Sequence, residues 1–176
     1  MTLDQLKESL PDYAKDIRLN ISNLFGNIAS SGLTPTQFYG TALAIAYSLK
    51  NTAVIHAIDA ESQKAGLLHV PFAAKTAATL MAMNNIYYRA IHLSENKELA
   101  AMPANLRMNG LNHSGVEKAD FELFALAVSA INGCGLCIHS HIKQLIEQAI
   151  STIAIQSAFR LAATLNALVT TLDGAL

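Results

Sequence analysis

Apolar residues recur at helical spacing along most of this chain, and that recurrence restricts it to an all-α fold. Tyr13, Ile17, Ile21 and Leu24 form an i, i+4, i+8, i+11 stripe. Leu3, Leu6 and Leu10 mark a shorter helix before it, which Pro11 ends. The short apolar runs elsewhere are rich in Ala and Leu, so strand signals are weak throughout. Local punctuation divides the remaining helices. Gly26 stops the second one. Thr34-Pro35 supplies an N-cap with proline at the first helical position and opens a helix to about Leu49. A further helix covers residues 52–63, and Pro71 opens a long one through Tyr88 to about Leu93. Residues 94–117 are polar, contain Pro103 and Gly110, and read as the main connection. Helix resumes over 118–131 and closes at Asn132-Gly133, where Gly133 suits a left-handed C-terminal cap. Another helix begins around Cys134, and a last one covers 151–172. The expectation is about eight helices.

Bulk composition narrows the class of protein. Of 176 residues, 52% are hydrophobic and 14% charged, and the mean hydropathy is +0.30. Either a membrane or buried subunit interfaces could account for that. Residues 121–131 are interrupted by Glu122 and Ser129, and residues 150–169 carry Gln156, Arg160 and Asn166. Neither is the charge-free run of about 18 residues that a span needs. The reading is therefore a soluble helical protein with no membrane partner, and with apolar faces buried in a homo-oligomer, a trimer or hexamer. The N-terminus is charged and amphipathic and lacks the apolar core of a secretory signal, so a cytoplasmic location is expected. The formal net charge is −1 and basic residues are scattered, which argues against a nucleic-acid partner.

A weak self-similarity appears at an offset of 83 residues. Ala42-Leu43-Ala44 aligns with Ala125-Leu126-Ala127, and Ser48 falls near Ser129. In that register Asn51 stands opposite Cys134 and Val54 opposite Cys137. The chain is thus expected to be one domain over 1–176, with a degenerate repeat over about 34–93 and 118–172. Only the second copy carries cysteine.

Cys134 and Cys137 are the only cysteines, three positions apart at a helix start. Free backbone N–H groups and the positive end of the helix dipole stabilise a thiolate there. That thiolate is the species that attacks a peroxide or a disulfide. The spacing also brings both sulfurs to one side of the first turn, within disulfide reach. His141 lies four residues after Cys137 on the same helix face, where an imidazole can relay a proton. His139 points roughly the opposite way. Glu122 lies on the preceding helix, and sequence alone does not place it beside the sulfurs.

Other chemistries use these residues less well. Cys134, Cys137, His139 and His141 are four candidate zinc ligands, but two residues two apart differ by about 200° around a helix. Covalent haem attachment needs histidine directly after the second cysteine, where Ile138 stands. A thioredoxin fold needs a strand before the pair, where an Ala-rich helix stands. No Gly-rich nucleotide fingerprint occurs, so no bound cofactor is expected and electrons come from another protein. A non-catalytic helical metal-binding or interaction module is the bland alternative. His56, His69, His92 and His113 read as scattered surface or loop positions.

At these residues the chain resembles the alkyl hydroperoxide reductase D (AhpD) family of the carboxymuconolactone decarboxylase-like superfamily. The strongest stretch is Asp120-Phe121 leading into Glu122-Leu123, then Ala127-Val-Ser-Ala-Ile-Asn-Gly-Cys134-x-x-Cys137-x-x-x-His141. Leu33-Thr-Pro-Thr-Gln, Met83-Asn-Asn-Ile-Tyr-Tyr-Arg89 and Leu106-Arg-Met-Asn109 add to it, so the likeness runs from about Leu33 to Leu172. It implies an all-helical, repeat-built protein that reduces organic hydroperoxides and re-reduces a partner peroxiredoxin, AhpC. It further implies electrons from the lipoyl group of a dihydrolipoamide acyltransferase and its dehydrogenase. By the same likeness, Cys137 matches the peroxide-attacking cysteine and Cys134 the proton donor and resolving thiol, the two forming a redox-active disulfide. Glu122 and His141 match the proton relay. One position departs: Leu136 stands where the family pattern has a histidine just before the second cysteine. Thiol exchange with a peroxiredoxin tolerates that loss better than direct peroxide reduction does. The decarboxylase branch, acting on a cyclic lactone acid, is the alternative enzyme reading.

Overall fold

The computed structural model describes residues 1–112 and 115–174. Among these residues the chain is helical, with no strand. The helices are α1 (Leu3–Glu8), α2 (Lys15–Gly26), α3 (Pro35–Leu49), α4 (Thr52–Lys64), α5 (Val70–Leu93), α6 (Lys97–Ala101), α7 (Lys118–Ile131), α8 (Gly135–Glu147) and α9 (Thr152–Gly174). Short 3-10 turns cover Asp12–Ala14, Ile28–Ser31 and Asn109–Asn112. The all-α expectation holds. One helix beyond the expected eight is α6, capped by Asn96, whose side chain accepts from the N–H groups of Glu98 and Leu99. Tyr13 does not belong to the α2 stripe. It sits in the 3-10 turn that follows Pro11 and is exposed, so the stripe begins at Ile17.

Two helices form the centre. α3 packs against α4, α5, α7 and α9, and α7 packs against α3, α5, α8 and α9. Both bury nearly all their faces: Phe38 and Thr41 to Ala46 on α3, and Leu123 to Ser129 on α7, are fully enclosed. A helix apolar all round has to be covered all round. Each fully buried Leu or Phe contributes about 1.5–3 kcal/mol, so this pair anchors the molecule. Their crossing depends on Gly40. A Cβ there would lie 2.0 Å from Cζ of Phe124, so only glycine admits the ring. α3 starts on Thr34, whose side chain accepts from Gln37 N–H while the Gln37 side chain accepts from Thr34 N–H. This reciprocal cap satisfies two otherwise orphaned donors.

α9 is long and apolar enough to cross a membrane by length and composition alone, but half of that stretch is buried inside the protein. Its inner face, including Ala154, Ala158, Leu161 and Leu165, belongs to the same core as α3 and α7. Shifting α3 and α4 by 83 positions gives the bounds of α7 and α8 to within a residue. The left-handed residues recur at the same spacing: Gly32 and Gly115, Lys50 and Gly133, Gly66 and Ala149.

Candidate active site

The turn between α7 and α8 places the cysteines. Gly133 adopts φ 65°, the left-handed region that glycine enters without steric cost. Its N–H donates to the Ala130 carbonyl at 3.2 Å, and Cys134 N–H donates to the Ser129 carbonyl at 3.1 Å. That pair of bonds is a Schellman closure of α7. Cys134 is at the same time the N-cap of α8, and its Sγ accepts from Cys137 N–H at 3.3 Å. Cys134 and Cys137 form a disulfide with Cα atoms 5.3 Å apart. The two sulfurs are not equivalent. Cys134 is completely buried, whereas Cys137 retains 8% exposure.

That exposure opens into a cleft of about 390 Å³ against α5, whose lining includes Cys137, Glu122, His141, Asn84, Tyr88 and Leu136. Because α8 folds back on α7, Glu122 and His141 meet. Glu122 Oε2 and His141 Nδ1 are 2.7 Å apart, and both side chains are largely enclosed. Nδ1 is thereby engaged, and Nε2 is the remaining ring nitrogen. The structure thus brings all four sequence-identified residues to one cleft wall or directly behind it. His139 is exposed and does not line the cleft. Among the described residues no group of three or more His, Cys, Asp or Glu side chains is arranged to hold a metal ion.

Comparison with known proteins identifies the family. The carboxymuconolactone decarboxylase family matches residues 97–173, which include the cysteine turn. The chain is 49% identical to the alkyl hydroperoxide reductase AhpD of Rhodopseudomonas palustris (strain BisB18), over 98% of this chain and 94% of that protein. It is 50% identical to the AhpD of Gluconacetobacter diazotrophicus, over 99% and 94% of the two chains. With the AhpD of Coxiella burnetii (strain Dugway 5J108-111) the identity is 48%, over 94% of each. The chain belongs to the AhpD family. In this AhpD-family chain Leu136 lies on the cleft rim, 43% exposed, so the rim is apolar at that point. His56, His69 and His92 are exposed on the surface, and His113 lies outside the described residues.

The Met83–Arg89 stretch that carries part of the family likeness also contributes to the site, a role that the sequence did not assign to it. Asn84 and Tyr88 line the cleft. Asn85, fully buried, donates through Nδ2 to Ser129 Oγ at 2.9 Å and accepts from Asn132 Nδ2 at 3.0 Å. The Arg89 guanidinium donates to the Asn132 carbonyl. One signal was present: adjacent asparagines are poor helix formers, and here they interrupt the apolar run of a long continuous helix.

Proposed function

We propose that this protein reduces alkyl hydroperoxides, and a partner peroxiredoxin of the AhpC type, through a dithiol/disulfide cycle at Cys137 and Cys134. As a member of the AhpD family it is a peroxidase-type thiol oxidoreductase. The reading rests chiefly on the asymmetry of the sulfurs: Cys137 borders the cleft shared by Glu122 and His141, and Cys134 is sealed behind it.

In the reduced protein, Cys137 sulfur attacks the terminal oxygen of the hydroperoxide. The O–O bond breaks, the alcohol leaves with one proton, and Cys137 becomes a sulfenic acid. Cys134 sulfur then attacks Cys137 sulfur, water departs, and the disulfide forms. Two thiols and one hydroperoxide give one disulfide, one alcohol and one water. His141, with Nδ1 on Glu122, accepts the Cys137 proton at Nε2 and returns it to the leaving oxygen. A peroxiredoxin disulfide would be attacked by the same Cys137 thiolate, with the exchange resolved by Cys134. The dithiol is restored by two electrons and two protons from a dihydrolipoyl group on an acyltransferase, itself recharged by its dehydrogenase. The protein works in the cytoplasm as a homo-oligomer, a trimer or hexamer. Exposed Leu68, Phe72 and Leu93 are consistent with faces covered by other copies. The chain is one domain containing a degenerate duplication, about 34–93 and 118–172, an interpretation supported by the shared spacing of helix bounds.

Hydroperoxide consumption with dihydrolipoamide as donor, with and without a peroxiredoxin, tests this reading. Cys137→Ser should reduce turnover to background. Cys134→Ser should stop turnover too, yet consume one equivalent of hydroperoxide and leave a sulfenic acid on Cys137. Catalysis surviving Cys137→Ser, or a sulfenic acid found on Cys134 instead, would overturn it.

A further inference from the structure

Cys134 sits between two glycines, Gly133 and Gly135, and a Cβ on either would meet nothing within 4 Å. Neither glycine has a side chain to brace the turn, so the backbone beside this cysteine is held by its own hydrogen bonds and by what reaches it from other elements. In the oxidised protein the disulfide holds it. In the dithiol that covalent tie is gone, and Cys134 is held through the turn, by its N–H on the Ser129 carbonyl and by Cys137 N–H on its Sγ. The side chains that reach the turn come from α5. Asn85 bridges Ser129 Oγ and Asn132 Nδ2, and Arg89 holds the Asn132 carbonyl. The Ser129 carbonyl in turn accepts from Cys134 N–H. Asn85 and Ser129 are fully buried, so breaking their bond strands polar groups without water. Arg89 has no carboxylate at ion-pair distance among the described residues, which leaves its charge directed to the turn. The equivalent turn between α3 and α4 is built differently. There Ala46 and Leu49 stand 83 positions before Ser129 and Asn132, and neither side chain can hydrogen-bond.

We infer that Asn85 and Arg89 are positioning residues for the resolving step: with Ser129 and Asn132 they clamp the α7–α8 turn so that reduced Cys134 stays poised against Cys137. This inference rests on the cycle proposed above. The clamp acts on Cys134 and leaves the first attack by Cys137 unchanged.

Rapid-mixing kinetics of the reduced full-length protein with an alkyl hydroperoxide separates the two steps. Arg89→Met and Ser129→Ala, the latter restoring the residue found at position 46, should each slow disulfide closure about tenfold, the value expected for losing one buried hydrogen bond. Sulfenic acid at Cys137 should then persist and be captured by a 1,3-diketone, while its rate of formation stays within about twofold of the parent. Arg89→Lys, which keeps a cationic donor, should recover most of the closure rate. Formation and closure falling in parallel, or closure unchanged in folded Arg89→Met, overturns the clamp. A second measurement needs no peroxide: equilibration of the cysteine pair against a dithiothreitol redox buffer. The clamp raises the effective concentration of one thiol near the other, so Arg89→Met should favour the dithiol about tenfold. If the parent never forms a sulfenic acid but this equilibrium still shifts, the peroxidase reading fails and the clamp stands. If the equilibrium does not move, the clamp fails whatever the peroxide result.

Discussion

The two helix–helix turns, α3–α4 and α7–α8, share a left-handed residue followed by an N-cap and differ in nearly every side chain that matters. Lys50 and Gly133 are both left-handed, at φ 61° and 65°. The next residue caps the following helix in each: Asn51 Oδ1 accepts from Val54 N–H at 3.1 Å, and Cys134 Sγ accepts from Cys137 N–H at 3.3 Å. Glu122, Cys137 and His141 correspond in spacing to Tyr39, Val54 and Ile58. Val54 and Ile58 are fully buried, and α4 is covered by α1, which buries Leu3 and Leu6. At α8 the equivalent positions border a cleft. On the proposed reading, a generic capping geometry becomes a redox centre by exchanging an amide for a thiol and leaving one face open. The chemistry sits in a few side chains and the scaffold is indifferent to it.

The comparison is broken most severely at the proposed relay. Glu122→Gln and His141→Gln should each lower kcat/KM for hydroperoxide by about 100-fold, the usual range for a lost general acid–base group. Both variants should stay folded, because the amide that replaces each group can still hydrogen-bond the partner that remains. Ile58→Ala, at the position matching His141, should do the reverse. It should cost about 2–5 kcal/mol of stability and leave turnover of the folded fraction intact. Equal activity losses at 58 and 141 would show that the two turns are not functionally distinct.

Next in size is the crossing of the central helices. Gly40→Ala places a Cβ 2.0 Å from a fully buried phenylalanine ring, which must move within a filled core. Overpacking of this kind costs about 1–3 kcal/mol. Chemical denaturation reads it. A variant as stable as the parent would mean that α3 and α7 can slide apart more easily than their burial suggests.

What the sequence disclosed followed interaction range. The α3 and α7 bounds were legible because Thr34, Pro35 and Gly133 act within one turn of themselves. Cys134, Cys137 and His141 were legible because they share one helix. The Glu122–His141 contact was not, since 19 residues and a reversing turn separate the partners. Asn85 and Arg89 lie 44 and 43 residues from the atoms they hold, and no local pattern reports such a pairing. α6 was missed because five residues in a polar connection show no periodicity.

A smaller effect tests whether capping is generic. Asn51→Ala removes the acceptor for Val54 N–H and the bond from Asn51 Nδ2 to Asp173. It should cost about 1 kcal/mol, with Asn51→Ser recovering most of it. Peroxide turnover should be unchanged. A fall in activity matching that of Cys134→Ser would tie the α3–α4 turn to the chemistry after all.

The smallest effect lies where equivalent positions touch each other. Gln37 and Asp120, 83 apart in the first turns of α3 and α7, meet through a bond from Gln37 Nε2 to Asp120 Oδ1 at 2.9 Å. Burial pushes the Asp120 carboxyl above its ordinary value. The Gln37 bond opposes that shift, nearby Glu117 adds to it, and His69 subtracts. The folded state therefore binds this proton more tightly than the unfolded chain does. Asp120 contributes its stability fully below the ordinary carboxylate range and loses it as pH rises through the raised value. Asp120→Asn keeps an acceptor for Gln37 and cannot ionise. The variant should match or slightly exceed the parent in stability at pH 7.5, with the parent gaining on it as pH falls towards 4. Denaturation curves at the two pH values decide the matter. A variant that is weaker at pH 7.5 and recovers on acidification would mean that ionised Asp120 stabilises the α3–α7 contact, against the direction that its burial sets.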